Sequence, residues 1–174
     1  MRMTGMTAGA ALAYIGLGAN LGDLATTLRK ALADVSALRG VRLMAVSSPW
    51  RTAPVDAFGP DFLNACAAVE TTLAPLALLD ELQAIETAHG RQRSYRNAPR
   101  TLDLDLLAFE GVGLHTKRLT LPHPRLFERA FVVRPLLEIV PADSVFATEL
   151  RRCLPALNGQ SLTRLDESLF AQRT

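Results

Sequence analysis

The apolar positions of the chain follow two spacings, one typical of strands and the other typical of helices. Apolar residues that recur every three or four positions predict two helices, the first opened by Asp23 and the second by Pro75. Short apolar runs predict four strands, over residues 11–17, 41–51, 62–72 and 101–109. This order of elements is the ferredoxin-like βαββαβ arrangement, an α+β fold with an antiparallel sheet and both helices on one face.

The rest of the chain is predicted to add smaller elements. Residues 111–121 indicate a hairpin-like excursion, and residues 128–139 and 144–157 indicate short helices, whereas residues 159–174 carry no clear pattern. A chain of 174 residues is long enough for one domain with its own core. We therefore expect a single domain over residues 11–174, preceded by a disordered extension over residues 1–10.

Composition narrows the class of protein. Apolar residues make up 49% of the chain and charged residues 21%, which is typical of a soluble globular protein. No apolar run approaches the about 20 residues that a membrane-spanning helix needs. The two cysteines, Cys66 and Cys153, are far apart in sequence, which favours free thiols over a zinc site. We expect a cytoplasmic monomer that does not bind a membrane.

Positive charge is concentrated in one part of the chain. Residues 90–134 contain nine Lys or Arg residues against four Asp or Glu residues, although the net charge of the whole chain is only +2. Such a local excess indicates an anionic ligand.

The strongest chemical signal is the pair Asp103 and Asp105 on the predicted fourth strand. Alternate side chains of a strand share a face, so the intervening leucines would enter the core while both carboxylates face the same way. Neighbouring carboxylates repel unless cations separate them, and magnesium prefers carboxylate and phosphate oxygens. The alternative is an ordinary edge strand whose two acids are solvated or paired with arginine.

An arginine-rich segment directly precedes this pair. Residues 91–100 contain Arg91, Arg93, Arg96 and Arg100 and no acid, and guanidinium groups match phosphate oxygens. A solvated loop is the alternative. The chain has no GxxxxGK[ST] phosphate loop, and residues 16–22 miss the GxGxxG pattern and fit a tight strand-to-helix turn better. A nucleotide triphosphate would therefore depend on the acid pair and the arginines.

Three further residues are candidates for ligand contacts. His123 lies between two prolines, where it could donate to a phosphate oxygen or could equally be a structural loop residue. Phe62 and Asn64 share one face of a predicted strand. They could contact a flat heterocycle, although a packing pair is the simpler alternative.

Together these segments resemble the 6-hydroxymethyl-7,8-dihydropterin pyrophosphokinase family of folate biosynthesis. The resemblance rests on residues 14–23, 47–52 with 62–65, 90–91 with 99–106, and 119–124 with Arg129 and Phe131, and it extends roughly over residues 11–157. It implies an enzyme that transfers pyrophosphate from ATP to 6-hydroxymethyl-7,8-dihydropterin and releases AMP, with small molecules and no nucleic acid as partners.

The resemblance also implies roles for individual residues. Two Mg²⁺ ions would be held by Asp103 and Asp105, and these two acids would form the catalytic set with Arg91 and Arg100. ATP would be bound by Gln83, Arg93, Arg96, Arg100, Leu106, Arg118, Thr120, His123 and Arg129. The pterin would be bound by Thr52, Ala53, Val55, Phe62, Asn64 and Phe131.

Two positions depart from the family pattern. The family's loop often contains Arg-Trp-Gly-Pro-Arg, whereas residues 96–100 have Asn97 in place of the Trp, which removes a possible stacking partner. Phe62 stands where the family usually has Tyr, and it lacks the Tyr hydroxyl.

Two other functions fit the residues less well: an RNA-binding module and a metal-dependent nuclease or phosphohydrolase.

Overall fold

The first strand and helix form where the sequence pattern places them. The computed structural model describes residues 9–54, 58–90 and 102–170. Strand β1 spans Ala11–Ala19 and helix α1 spans Leu24–Ala37. The Asp23 carboxylate caps α1 by accepting from the Thr26 backbone N–H at 3.1 Å, which satisfies a donor that has no partner within the helix.

Helix α2 spans Pro75–Ala88, with proline in the first turn where its missing N–H costs nothing. Four apolar side chains and one acid of this helix are buried: Leu78, Leu79, Leu82, Ile85 and Glu86. A buried acid on an apolar helix face requires polar partners, and Glu86 finds one on the neighbouring strand.

The remaining elements complete a mixed structure. Strands β2 to β5 span Val41–Val46, Trp50–Thr52, Phe62–Thr71 and Asp103–Phe109, and β6 and β7 form a hairpin over Leu114–His115 and Thr120–Leu121. A 3-10 helix covers Leu126–Glu128, and helices α3 and α4 span Ala130–Ile139 and Val145–Leu157. The predicted hairpin and both short helices are therefore present.

The sheet has the order expected of a ferredoxin-like core. Strand β5 pairs with β1, β1 pairs with β4, and both β2 and β3 pair with the far side of β4, all antiparallel. The predicted fold class is confirmed.

The predicted strand over residues 41–51 is instead two strands. Residues 47–49 interrupt it, and Pro49 has no N–H for the ladder. At the break, the Ser47 hydroxyl accepts from the Cys66 N–H at 2.9 Å, and the Ser47 N–H donates to the Cys66 carbonyl at 2.9 Å. A side chain thus replaces one backbone bond of the ladder, which ends β2 and allows β3 to resume pairing with β4.

The segment without a sequence pattern, residues 159–174, also contains structure. Strand β8, Leu162–Arg164, adds to the sheet beside β3, and a 3-10 helix follows over Glu167–Phe170. The sequence pattern did not indicate these elements.

Two apolar cores cover the two faces of the sheet. Helices α1 and α2 pack on the face that carries Ile15, Leu17 and Val69, and α3 and α4 pack on the face that carries Tyr14 and Cys66. Asp103 and Asp105 of β5 lie on the second face, opposite the buried Leu104.

The domain boundaries stay a prediction. Residues 1–8 and 171–174 lie outside the described residues, so a single domain over 11–174 and an extension over 1–10 are untested. Among the helices that the structure describes, none is long and apolar enough to cross a membrane.

Candidate active site

Asp103 and Asp105 lie on the same face of β5. Leu102, Leu104 and Leu106 are buried in the core between β5 and the helices, whereas both acids are half-buried on the opposite face. Strand β5 is the edge of the sheet, so one side of it is available to other elements. The leucines and acids therefore divide between the two faces as the alternation predicts.

Two glycines of β1 form the floor beside these acids. Gly18 pairs with Asp103 on one side and with Asn64 on the other, and Gly16 pairs with Asp105 and Cys66. A Cβ added to Gly18 would lie 3.0 Å from Asn64 Oδ1, which is too close for an unstrained contact. Both glycines belong to β1, which runs to Ala19, and the predicted strand-to-helix turn lies between Ala19 and Leu24, with Gly22 at a positive φ of 75°. Because neither Gly16 nor Gly18 has a side chain, the surface of β1 beside the two acids stays open to a ligand.

Asn64 is fixed in place from the next strand. Its Nδ2 donates to Thr52 Oγ1 at 2.9 Å, and both side chains are buried. Phe62 is half-buried and pairs with Thr52 across the two strands, and Ala53 is exposed directly after Thr52. Four of the residues predicted to bind pterin thus lie together on β4, on β3 and immediately after β3.

A cleft of about 340 Å³ opens between α2, β5 and the β6–β7 hairpin. Six residues predicted as site residues from the sequence line this cleft: Gln83, Asp105, Leu106, Arg118, Thr120 and His123. Seven further lining residues were not predicted as site residues: Leu79, Glu86, Leu104, Thr116, Lys117, Leu119 and Pro124. Lys117 adjoins Arg118 and could have been found from that charge; Glu86 stands four positions after the buried Leu82, an acid on an apolar stripe.

His123 is held at one wall of this cleft. Its backbone N–H donates to the Leu107 carbonyl at 2.7 Å, and its ring Nδ1 accepts from the Arg125 backbone N–H at 3.2 Å. Burial and then the Arg129 charge lower the pKa of His123, against the opposite effect of Asp103. A neutral ring whose Nδ1 is an acceptor carries its proton on Nε2, where it can donate to an anionic oxygen.

Arg129 brings a positive charge to the acid pair from the start of α3. Burial and the nearby Arg125 lower the pKa of Arg129, while Asp105 and Asp103 act to raise it. An arginine stays protonated in proteins, so its positive charge interacts with both acids. The guanidinium carbon also lies 5.6 Å from the centre of the Phe131 ring, within cation–π distance. Arg129 therefore links the acid pair to the aromatic ring predicted to contact pterin.

Arg118 forms an ion pair with Asp80 of α2 at the edge of the cleft. Both side chains are more than half exposed, so the pair contributes little to stability. Its guanidinium can therefore exchange this partner for a phosphate at small cost.

The residues around the acid pair suit magnesium better than a metal held by protein alone. Within the described ranges, no group of three or more His, Cys, Asp or Glu side chains could hold a metal ion. Magnesium usually takes one or two carboxylates and completes its shell with water and substrate phosphates. Asp103 and Asp105 fit that donor set.

Five predicted site residues lie outside the described residues. They are Val55, Arg91, Arg93, Arg96 and Arg100. Their predicted contacts with pterin and ATP stay predictions.

Residues 14–141 match the family described as 7,8-dihydro-6-hydroxymethylpterin-pyrophosphokinase (HPPK). The chain belongs to the HPPK family. A relative from Methylorubrum extorquens, named 2-amino-4-hydroxy-6-hydroxymethyldihydropteridine pyrophosphokinase, is 41% identical over 155 residues, which cover 88% of this chain and 98% of that protein. A Bacillus subtilis protein of the same name is 44% identical over 74% of this chain and 77% of its own. The predicted resemblance is confirmed, and the chain is an enzyme of the HPPK family.

Solved structures support the fold. A crystal structure of HPPK-DHPS in complex with substrates matches with a TM-score of 0.64 at 14% identity, covering 89% of this chain and 47% of that chain. Wild-type Plasmodium falciparum HPPK-DHPS with pterin and p-hydroxybenzoate also matches with a TM-score of 0.64 at 14% identity, covering 89% of this chain and 45% of that chain. This HPPK family member thus spans about half the length of those chains, and the likeness shows the fold alone.

Proposed function

We propose that this HPPK family member transfers the pyrophosphoryl group of ATP to 6-hydroxymethyl-7,8-dihydropterin and releases AMP, as a step of folate biosynthesis. One observation carries the proposal. The acid pair of β5 lies between a cleft of about 340 Å³ on one side and, on the other, the floor of Gly16 and Gly18 with Asn64 beyond it. Two different ligands can therefore meet at the carboxylates.

The cleft is suited to ATP. Apolar side chains from α2, β5 and the hairpin, among them Leu79 and Leu119, can pack on a nucleotide base, and Gln83 and Thr120 supply polar groups. Lys117 and Arg118 supply positive charge. The phosphates would then lie toward Asp105, His123 and Arg129, with Arg93, Arg96 and Arg100 proposed as further contacts.

The floor is suited to a pterin. Asn64 donates one amide proton to Thr52, which orients the Asn64 Oδ1 toward Gly18 and the space above it. The rings of Phe62 and Phe131 would enclose the flat heterocycle, and the backbone at Thr52, Ala53 and Val55 would meet its polar edge. Aromatic faces stack favourably on flat rings and so favour a pterin over a flexible acceptor.

Asp103 and Asp105 would hold two Mg²⁺ ions together with phosphate oxygens. When bound, magnesium supplies neutralisation of the triphosphate charge and activation of the acceptor hydroxyl. The half-burial of both carboxylates reduces screening by water and strengthens their electrostatic effect.

The chain's own groups position the reactants. The pterin hydroxymethyl oxygen would attack the β-phosphorus of ATP, and the bond from this phosphorus to the α,β-bridging oxygen would break, so that AMP leaves with that oxygen. The hydroxyl proton would pass to solvent, and Asp103 or Asp105 could assist its removal. His123 Nε2 and the Arg129 guanidinium would donate to phosphate oxygens, and Arg91 and Arg100 would act on the transferring group. Positioning and electrostatic stabilisation supply most of the rate in phosphoryl transfer.

The products of one assay test this proposal. The full chain is incubated with ATP, Mg²⁺ and 6-hydroxymethyl-7,8-dihydropterin, and the nucleotide products are separated. We expect AMP in equal amount to a pterin pyrophosphate, with AMP formation dependent on the pterin. ADP as the product would contradict the proposal, and AMP formed without pterin would identify a hydrolase instead.

We also propose that the enzyme acts as a monomer in the cytoplasm. Cys66 and Cys153 are free thiols, which suits a reducing compartment. Light scattering during size-exclusion chromatography would test the monomer, and dimers at micromolar concentration would contradict it.

A further inference from the structure

Helix α3 begins without a cap from its own sequence. The N-cap position is Arg129, whose backbone is extended and whose side chain makes no capping hydrogen bond. Ser, Thr, Asp or Asn usually fill this position because their oxygen accepts from a backbone N–H of the first turn. A guanidinium has no acceptor, so Arg129 cannot do the same.

Gln160, thirty residues further along the chain, supplies the missing group. Its Oε1 accepts from the Ala130 backbone N–H at 2.8 Å, and its Nε2 donates to the Glu128 carbonyl at 2.8 Å. The two bonds contact the residue before Arg129 and the residue after it. The Gln160 backbone N–H in turn donates to the Leu157 carbonyl at 3.0 Å, which ties this residue to the end of α4.

We propose that Gln160 is a positioning residue, which clamps the backbone on both sides of Arg129 and so directs the guanidinium at the acid pair and the nucleotide phosphates. The inference rests on the proposed function, because it assigns Arg129 to the ATP site. An Asp or Ser at position 129 could cap α3 itself but could not bring a positive charge to Asp103 and Asp105. A cap supplied from the tail leaves the Arg129 side chain available for the ligand.

The same clamp controls a second contact. Arg129 lies over the ring of Phe131, one helical position beyond Ala130, so a shift at the start of α3 would move the guanidinium and the ring together. Small displacements of positioning groups cost a large share of the rate in phosphoryl transfer. Loss of Gln160 would therefore weaken ATP binding and lower turnover with little effect on the fold.

The test compares Gln160→Met with wild type in the full chain. Methionine has a similar length but neither amide group, so it removes both hydrogen bonds. We expect the Kd for α,β-methylene-ATP with magnesium, measured by titration calorimetry, to rise about three- to tenfold, the range that loss of a hydrogen bond produces. Gln160→Glu keeps an acceptor for the Ala130 N–H, but its carboxylate repels the Glu128 carbonyl oxygen. The Kd of this variant should lie between those of wild type and Gln160→Met.

Arg151→Met is the matched control. Arg151 also makes a side-chain bond to the backbone of this region, to the Ala142 carbonyl at 2.9 Å, but it does not contact the start of α3. Its Kd should stay within about twofold of wild type, smaller than the effect of a lost hydrogen bond in the site. An unchanged Kd in Gln160→Met, or an equal rise in Arg151→Met, would overturn the proposal.

A double variant separates positioning from general stability. If Gln160 acts through Arg129, Gln160→Met should add almost nothing to the effect of Arg129→Met, because the two changes remove one function. Additive losses would overturn the proposal. The two proposals can fail separately. If Arg129→Met and both Gln160 variants bind ATP normally and wild type still makes AMP from ATP and pterin, the positioning role fails and the proposed function stands. If wild type makes no AMP, both proposals fail.

Discussion

Asp105 is the side chain on which the chemistry depends most directly. It lines the cleft, faces Arg129 and neighbours Asp103 on the same strand face. Asp105→Asn keeps the shape and removes the charge that would hold magnesium. Because a bound metal contributes several kcal/mol to the transition state, we expect turnover to fall by about a thousandfold or more, measured as AMP formation at saturating Mg²⁺.

Asp34→Asn provides the matched control for this substitution. Asp34 of α1 pairs with His89 at the end of α2, and neither residue lines the cleft. Its turnover should equal that of wild type. Near-normal turnover of Asp105→Asn, with an unchanged thermal midpoint, would show that the acid does not hold the metal.

His123 links the same site to pH. Its pKa is lowered from the ordinary value of 6.5 by burial and by Arg129. As pH falls below about 6.5, the unfolded chain therefore takes up a proton that the folded chain does not, and the free energy of unfolding decreases. Above that pH this residue contributes no pH dependence.

We expect His123→Gln to reduce the decrease in the free energy of unfolding that occurs as the pH falls. Urea denaturation of the ligand-free chain at pH 5, 6, 7 and 8, a range that brackets the usual histidine pKa of about 6.5, should show a smaller loss of stability toward acid in the variant. His115→Gln, in the nearby hairpin, controls for replacing a histidine. Equal slopes for wild type and His123→Gln would contradict a lowered pKa.

Strand β5 is held at its outer edge by α2. The Leu104 N–H, between the two acids, donates to the buried Glu86 carboxylate at 2.7 Å. An edge strand otherwise presents unpaired N–H groups to solvent, so this bond both covers the edge and fixes the spacing of the acids above the cleft.

Removing the Glu86 acceptor should therefore destabilise the protein. We expect Glu86→Ala to lower the free energy of unfolding by about 1–3 kcal/mol, the cost of leaving a buried donor unsatisfied. Glu86→Gln retains an acceptor oxygen and should lose less. Denaturant titration measures both; equal losses would mean that the charge, rather than the bond to Leu104, determines the effect.

The helices and long strands could be predicted because their own residues determine them. Asp23 accepts from Thr26 and Pro75 begins α2, and both signals lie within the segment they control. The break between β2 and β3 could not, because the Ser47 bonds to Cys66 depend on a partner 19 residues away. Strand β8 was missed for the same reason: three residues acquire strand geometry by pairing with β3.

The site as a whole divides in the same way. The acid pair and much of the cleft follow from local patterns and the family resemblance, since alternation on β5 and the charge near residue 118 are visible in sequence. The roles of Gln160 and Glu86 are not visible in the sequence, because they depend on contacts with Ala130 and Leu104. The apolar stripe around Glu86 marks this acid as unusual but does not identify its partner. Residues without a local sequence signal thus support a site whose acid pair and basic residues can be recognised from local patterns.

Ligand binding should couple these parts of the molecule, because ATP and magnesium would contact α2, β5, the hairpin and the start of α3 at once. A ligand that binds only the folded chain stabilises it by about 2.7 kcal/mol at one hundred times its Kd. For a chain of this size, that corresponds to a rise in Tm of about 5–10 °C. We expect this rise in Tm, measured by calorimetry, with ATP and Mg²⁺ together.

The rise in Tm should disappear when EDTA removes the metal and in Asp105→Asn, whereas Asp34→Asn should retain it. An equal rise with ATP and EDTA would mean that the nucleotide is held without magnesium, and that the acid pair has another role.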